Sequence, residues 1–420
     1  MRLFQKDKNI RLDVRRSGRL VAATLVAGAA GAAGLGMTVP AAQAGVANRG
    51  LPGAGSDPIA NMTWGVARND DIWNAYQASK GAKHALLGKL ENVPRTDWLG
   101  YWIGVRQIKS WTAQVVTGFQ NGNPNALAAF NTFELHPWDT AAGHGVWHAP
   151  TKGVWNVKSD EAWYRNMAAG IGKARAMVIV QADLPFDWKL PSPVPAQINS
   201  YAVKTLAALP RTTVYIDGGT FGWLKPEHLA KLLVSNGIRN ARGFALDDTD
   251  YDPTATEDKF GATVVQDLAK LGVPGKHFIV DTDENGQPYK PQQVKLARLR
   301  GINDAPPCHG SIQTVCQRTG ILPTTNVASP KWRLGAAASA AAKRYCDAYI
   351  WSGRPWDVDG GPYRTQYALW LAANGQYKLP PVPVVKKTAT TTSTTTTPTT
   401  TTTAAATTTT GTGGTAPPAA

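Results

Sequence analysis

Four apolar residues stand in an unbroken run, Met177, Val178, Ile179 and Val180. A run of this length is typical of a strand that is buried on both faces of a parallel sheet, and it is too short for a helix. Asp183 follows the strand. Ligands and catalytic groups lie at the carboxyl ends of such strands in α/β folds, so Asp183 is either a helix cap or a functional acid.

Strand-like and helical patterns alternate along the rest of the chain. The other predicted strands are 97–105, the end of 126–135, 213–217, 243–246, 277–281 and 347–351. The predicted helices are 71–90, 160–173, 199–209, 226–236, 263–271 and 365–373. Such alternation without an internal linker predicts one α/β domain with a parallel sheet. A closed or nearly closed barrel fits better than an open sheet, because no glycine-rich dinucleotide fingerprint opens the chain.

Carboxylates follow most of the predicted strands. They are Glu134, Asp139, Asp183, Asp217, Asp247, Asp248, Asp281, Asp357 and Asp359. Any one of them alone could be structural. Like charges gathered at one rim raise one another's pKa values, and a fold tolerates this where it needs both an acid and a base.

Tryptophan is abundant, with 15 residues. Those beside the strand-end acids are Trp98, Trp138, Trp188, Trp223, Trp351 and Trp356. An aromatic face stacks on the apolar face of a sugar ring, while paired carboxylates act on the glycosidic oxygen and on water. The combination indicates glycoside hydrolysis.

The two ends of the chain differ from the domain between them. Residues 1–44 predict a secretory signal peptide, with a basic start, an apolar Ala/Gly-rich run and a small-residue cleavage site ending at Ala44. Residues 45–60 predict a flexible arm, and residues 386–420 predict a Thr-rich disordered tail. We therefore expect a protein that is secreted, either extracellular or held at the cell wall through the tail.

The charge distribution and the cysteine content indicate which partners, cross-links and cofactors to expect. The net charge of +15 comes from scattered basic residues without a stripe or motif, so no nucleic-acid partner is expected. Three cysteines allow one disulfide, for which Cys308 and Cys316 in one loop-like stretch are the first choice. No Cys/His metal pattern is present, and we expect no metal and no organic cofactor.

Four segments carry a family resemblance, in one order along the chain: VYIDGGTFGWL (214–224), HFIVDTDENG (277–286), DAYIWSGRPWDVDG (347–360) and QYALWL (366–371). Together they resemble glycoside hydrolase family 6, the secreted cellulases, over residues 61 to 375. The resemblance implies a distorted seven-stranded TIM-like parallel β/α barrel over residues 61–385. It also implies cleavage of β-1,4-glucan with inversion.

The resemblance also implies roles for four acids. Asp183 matches the general acid that protonates the glycosidic oxygen, and Asp139 matches the acid that tunes this proton donor and is linked to the water path. Asp217 matches a supporting aspartate of the family. Asp359 matches the candidate general base, whose role a water chain could share.

Four further residues are expected to bind substrate. Trp98 resembles the tryptophan that stacks a sugar on the non-reducing side of the cut, and Trp223 resembles the one on the leaving-group side. Asp357 and Asp247 stand where the family carries Glu and Asn. Further departures are Phe133 for a tyrosine, Gly353 for a lysine, and Gln181-Ala182 for Glu-Pro.

Two other functions remain open at this stage. A catalytically weakened glucan-binding protein of the cell wall would explain the altered residues around the acids. A retaining glycosidase would require the two working carboxyls to stand about 5–5.5 Å apart, against roughly 6.5–9.5 Å for inversion. Among the hydrolases we expect an endo-acting enzyme with an open cleft, acting as a monomer.

Overall fold

The computed structural model describes residues 56–135, 156–188, 192–287, 308, 316–356 and 363–381. Within them seven strands form one sheet in chain order, and every neighbouring pair is parallel. The strands are β1 (Asp97–Gly100), β2 (Ala128–Phe133), β3 (Ala176–Val180), β4 (Thr212–Asp217), β5 (Gly243–Leu246), β6 (His277–Asp281) and β7 (Cys346–Ile350). The sheet curls with its helices into the predicted distorted, seven-stranded TIM-like barrel.

The two edges of the curled sheet approach each other where β1 begins and β7 ends. The Thr96 backbone N–H donates to the Trp351 carbonyl at 2.9 Å. The Thr96 hydroxyl and the Trp98 indole N–H both donate to the Ser352 carbonyl, at 2.9 and 2.6 Å. These bonds replace a regular strand ladder at the seam.

The core has an inner and an outer layer, and β3 contributes to both. Met177 and Ile179 pack with other strand residues and with Ile59 from the chain before β1. Val178 and Val180 pack against the surrounding helices. All four side chains are fully buried, which explains why this strand shows no polar alternation.

Nine α-helices occur in the described residues. They are α1 (Asp71–Ala78), α2 (Gly81–Glu91), α3 (Ile108–Gln120), α4 (Val157–Ile171), α5 (Val194–Ala207), α6 (Pro226–Ser235), α7 (Thr254–Lys270), α8 (Ala336–Tyr345) and α9 (Thr365–Asn374). None of them is long and apolar enough to cross a membrane.

The predicted helix at 71–90 is in fact two helices. The chain leaves α1 at Ser79 in an extended conformation, and α2 starts at Gly81, whose φ is +60°. The extended residues Ser79 and Lys80 separate the two helices, and the left-handed glycine redirects the chain into α2. The prediction of one continuous helix was therefore wrong.

The cysteine prediction is confirmed. Cys308 and Cys316 form a disulfide with a Cα–Cα distance of 4.7 Å. Cys346, the first residue of β7, is a buried free thiol.

Candidate active site

The backbone at the end of β3 is held in an unusual conformation. Gln181 and Asp183 both have φ of +62°, in the left-handed region that side chains other than glycine seldom adopt. The Gln181 side chain accepts from the Leu135 N–H at 3.1 Å and donates to the Leu135 carbonyl at 2.6 Å. These bonds join the segments after β2 and β3, and they hold the turn that presents Asp183.

Asp183 is half-buried, and its Oδ1 accepts a hydrogen bond of 2.8 Å from the Thr249 hydroxyl. Loss of hydration raises the pKa of Asp183 to about 7. The bond from Thr249 opposes this rise, while the nearby charges of Asp248 and Asp250 add to it. The carboxyl can therefore hold a proton near neutral pH, as a general acid must.

Further acids from β4, β5 and β6 surround this position. Asp217, at the end of β4, is fully buried and accepts from the Gly219 N–H at 3.0 Å. Burial raises the pKa of Asp217 well above its usual range, and the charges of Asp248 and Asp183 raise it further. Burial likewise raises the pKa of Asp281, again with a contribution from Asp248.

Asp248 lies between these groups and is fixed by neutral donors. The Asn131 amide donates to Asp248 Oδ2 and also to the Ser352 hydroxyl, the latter at 3.1 Å. The Ser352 N–H donates to Asp281 Oδ2 at 3.1 Å. Asn131 and Ser352 thus link the ends of four strands, β2, β5, β6 and β7. Their hydrogen bonds lower the pKa of Asp248, which burial raises overall to about 6.

A second acidic cluster lies behind the first, around the Thr220 hydroxyl. Oxygens of Asp247, Asp252 and Glu257 lie 3.1, 2.8 and 3.1 Å from Thr220 Oγ1. One hydroxyl has one proton and can donate to only one of these oxygens. Burial raises the pKa of Asp247 well above its usual range, and the charges of its acidic neighbours raise it further. In the described residues these three carboxylates are the set that could reach a common cation.

Aromatic rings stand close to Asp183. The short 3-10 helix Leu184–Asp187 follows Asp183 and carries Phe186, which is 41% exposed. The Phe186 ring centroid is 4.7 Å from that of Trp223. Trp223 packs across Gly219, where a Cβ atom would lie 2.7 Å from the indole ring. The two rings form a partly exposed aromatic surface next to the acids.

The structure brings together part of the predicted site. Asp183 and Asp217 are close enough to influence each other's charge. Trp98 is connected to the acids through Ser352, whose carbonyl accepts its indole N–H. Asp247 is only 1% exposed, and its oxygens accept from the Asp252 N–H at 2.9 Å and from the Asn285 amide at 3.2 Å. Asp139, Asp357 and Asp359 lie outside the described residues.

The sequence alone does not indicate a role for Thr249, Asn131, Ser352 or Phe186. Each of these is an ordinary residue whose importance depends on a contact distant in the sequence. Asp248 was noted as a strand-end acid without a function. Each lies in a strand or within a few positions of a strand end. Many other polar and aromatic residues do so too, so this position alone does not identify a functional residue.

A parallel barrel whose carboxyl rim carries acids with raised pKa values beside exposed aromatic rings has the arrangement expected of a glycoside hydrolase. The family model described as Glycosyl hydrolases family 6 matches residues 55–376. The chain therefore belongs to glycosyl hydrolases family 6, and the resemblance noted in its sequence is confirmed. It is an enzyme of the glycoside hydrolase class.

Two curated relatives are similar to this chain. Endoglucanase 1 of Streptomyces halstedii is 28% identical over 246 residues, which are 56% of this chain and 73% of the relative. Endoglucanase A of Cellulomonas fimi is 28% identical over 217 residues, which are 51% of this chain and 44% of the relative.

Solved structures share the fold. The endoglucanase Cel6 from Mycobacterium tuberculosis, in complex with methyl-cellobiosyl-4-deoxy-4-thio-β-D-cellobioside, has a TM-score of 0.57 at 24% identity, covering 76% of this chain and 99% of that one. Cellobiohydrolase II from Humicola insolens, in complex with glucose and cellotetraose, has a TM-score of 0.53 at 20% identity, covering 77% and 93%.

Proposed function

We propose that this protein hydrolyses β-1,4-glucan of the cellulose type, cutting within the chain and inverting the anomeric configuration. The single observation that carries the proposal is the state of Asp183, a strand-end carboxyl whose pKa is raised to about 7 beside an aromatic surface. The names of its curated relatives, both endoglucanases, support the substrate class and the internal cut.

In the proposed reaction Asp183 donates its proton to the glycosidic oxygen as the bond to the anomeric carbon breaks. Water attacks that carbon from the opposite face, and Asp359 is the proposed base that takes the proton of the water. Inversion requires space for this water, so the two working carboxyls should stand roughly 6.5–9.5 Å apart. Asp139 is the proposed partner that tunes the donor.

The other acids have supporting roles in this scheme. Asp217 is fully buried and its neighbours raise its pKa, so as a protonated group it adds no charge against the departing oxygen. Asp247 is proposed to reach substrate only indirectly in this conformation, because protein donors occupy its oxygens. Asp357 is proposed as a substrate contact.

The aromatic residues are proposed to place the glucan chain across the acids. Trp223 would stack the sugar on the leaving-group side, extended by Phe186. Trp98, held by its indole bond to Ser352, would stack a sugar on the other side. Stacking on rings keeps the chain flat over the rim without adding charge near the reacting bond.

Several properties of the mature protein belong to the same proposal. We propose that residues 1–44 direct secretion and are removed, that residues 45–60 form an arm whose end is fixed by Ile59 in the barrel core, and that residues 61–385 form the catalytic domain. The tail 386–420 is proposed to keep the enzyme extracellular or at the cell wall. A monomer without metal or cofactor is sufficient for the chemistry described.

A panel of soluble and insoluble polysaccharides tests the proposal. The mature enzyme should release reducing sugar from β-1,4-glucans, lower the viscosity of carboxymethylcellulose rapidly, and leave β-1,3-glucan intact. Proton NMR during cellohexaose cleavage should show the α-anomer first. Initial release of the β-anomer would contradict inversion, and binding without any reducing-sugar release would identify a weakened binding protein instead.

A further inference from the structure

The loop that follows β5 supplies a hydrogen bond to the proposed proton donor. Thr249 lies in this loop, and its Oγ1 is 2.8 Å from Asp183 Oδ1. We propose that Thr249 is a positioning residue for the reaction, because its hydroxyl holds Oδ1 and thereby keeps the transferable proton on Oδ2. This inference rests on the proposed role of Asp183 as general acid.

The direction of the hydrogen bond decides which oxygen carries the proton. A protonated carboxyl has one hydroxyl oxygen that donates and one carbonyl oxygen that only accepts. Because the Thr249 hydroxyl donates to Oδ1, that oxygen has the acceptor role and the proton belongs on Oδ2. Without this bond the two oxygens would share the proton, and the carboxyl could rotate away from the substrate.

The loop is built to keep Thr249 in place. Asp247 begins it with φ of +64°, and its N–H donates to the Gly219 carbonyl at 2.8 Å. The Asp247 side chain accepts from the Asp252 N–H at 2.9 Å, which ties the far end of the loop back to its start. Asn285 donates to both Asp247 and the Asp252 carbonyl. The second acidic cluster therefore anchors the loop that carries Thr249.

The other charged groups facing Asp183 act in the opposite direction to Thr249. Asp248 and Asp250, on the same loop, raise the pKa of Asp183 by repulsion. Asp217, from β4, also repels a charged Asp183, because the charge of Asp183 raises the pKa of Asp217. Among these neighbours only the Thr249 hydroxyl favours the ionised carboxylate, which forms when the proton has been given up. Thr249 therefore stabilises the product state of the proton transfer.

Replacing Thr249 tests its effect on the rate and its effect on the pKa of Asp183. Thr249→Val has nearly the same shape but no hydroxyl, so we expect kcat/KM on cellohexaose to fall about 10-fold. Loss of a bond to the ionised form raises the pKa of the donor, so the basic limb of the pH profile should move upward by about 0.5–1 pH unit. Thr249→Ser keeps a hydroxyl and should restore both the rate and the limb.

The control is Thr263→Val on α7, an exposed residue whose hydroxyl bonds only to its own helix, at 3.0 Å to the Lys259 carbonyl. It should match the wild type in rate and profile. The inference is overturned if Thr249→Val keeps the wild-type basic limb, or if Thr249→Ser fails to restore it. Asp183→Asn separates the two proposals. Full activity of Asp183→Asn refutes the role of Asp183 as proton donor. If Asp183→Asn is inactive but Thr249→Val keeps the wild-type basic limb of the pH profile, only the role of Thr249 is refuted.

Discussion

Buried carboxyls govern how single residues of this protein respond to pH. Asp258 on α7 is fully buried, and its Oδ2 accepts from the Tyr349 hydroxyl at 2.8 Å. Burial raises the pKa of Asp258 to about 8, although the Tyr349 bond and the Lys259 charge oppose the rise. Asp258 has no role in the proposed reaction, so a substitution there tests how burial shifts the pKa of a carboxyl.

Asp258→Asn should stabilise the protein at high pH and have little effect at low pH. The raised folded-state pKa means that the native wild type keeps a proton that the unfolded chain releases above about pH 4. Wild-type stability therefore falls as pH rises towards 8, by up to about 1.4 kcal/mol per pH unit for this group. Asparagine can still accept the Tyr349 bond and carries no charge.

Urea unfolding of both proteins at pH 5 and at pH 8, followed by tryptophan fluorescence, measures the difference. The variant should gain stability relative to the wild type between the two values. A difference that is the same at both pH values would show that Asp258 is already ionised in the native state at pH 5.

Sequence reasoning located the acids at the residue scale better than it located their partners. Asp183 and Asp217 were predictable because each directly follows a recognisable buried strand. Gln181 looked like a departure from the family, yet its amide both accepts from and donates to Leu135, which an ionised glutamate could not do. That pairing depends on two strands meeting, and the sequence alone does not show it.

At the level of elements, β5 and β6 approach so closely that one position tolerates only glycine. A Cβ atom on Gly243 would lie 1.7 Å from the His277 carbonyl oxygen, a backbone atom that cannot move without shifting β6. By contrast, a Cβ atom on Gly118, inside α3, meets nothing within 4 Å.

The two glycines therefore make a matched pair for substitution by alanine. Gly243→Ala should lower the free energy of unfolding by about 2 kcal/mol or more, because the pairing of β5 with β6 must be disturbed. Gly118→Ala should stabilise it by about 0.5–1 kcal/mol, since alanine favours the helix. Thermal unfolding by circular dichroism checks both. Equal effects of the two substitutions would refute the close strand contact.

Elements were predicted where their apolar pattern was strong, and two helices were missed for physical reasons. The α8 sequence is mostly alanine, and the helix buries only Ala338 and Ala342, so it shows no large-residue periodicity. The α3 helix buries Ile108, Val115 and Phe119 at helical spacing, but β-branched residues around them resemble a strand. The predicted strand at 97–105 was also too long, since β1 ends at Gly100.

At the scale of the whole molecule, the barrel brings acids from separate strands to one rim. Parallel strands in chain order place all their carboxyl ends on the same side, so the strand-end acids had to meet. That consequence of topology made the fold and the general position of the site predictable. The seam is different, because Thr96, Trp98 and Ser352 meet only once the sheet has curled.

The same rim gathers carboxyl groups in a weakly hydrated space. Burial and mutual repulsion raise the pKa values of Asp183, Asp217 and Asp281 together. Neutral donors such as Asn131 and Ser352 hold the acids without neutralising them by ion pairs. The barrel thus keeps protons available at the rim, which is the condition for acid catalysis near neutral pH.

The central claim, that Asp183 donates the proton, is tested most directly by varying the leaving group. Asp183→Asn and the wild type are compared on cellohexaose and on 2,4-dinitrophenyl β-cellobioside, whose leaving group needs no proton. Asp267→Asn is the control, because this acid bonds Lys270 on the outer surface of α7. Asp183→Asn should lose on the order of 100- to 10,000-fold in rate on cellohexaose but little on the aryl substrate. Wild-type cleavage of cellohexaose by Asp183→Asn, or an equal loss on both substrates, would contradict the claim.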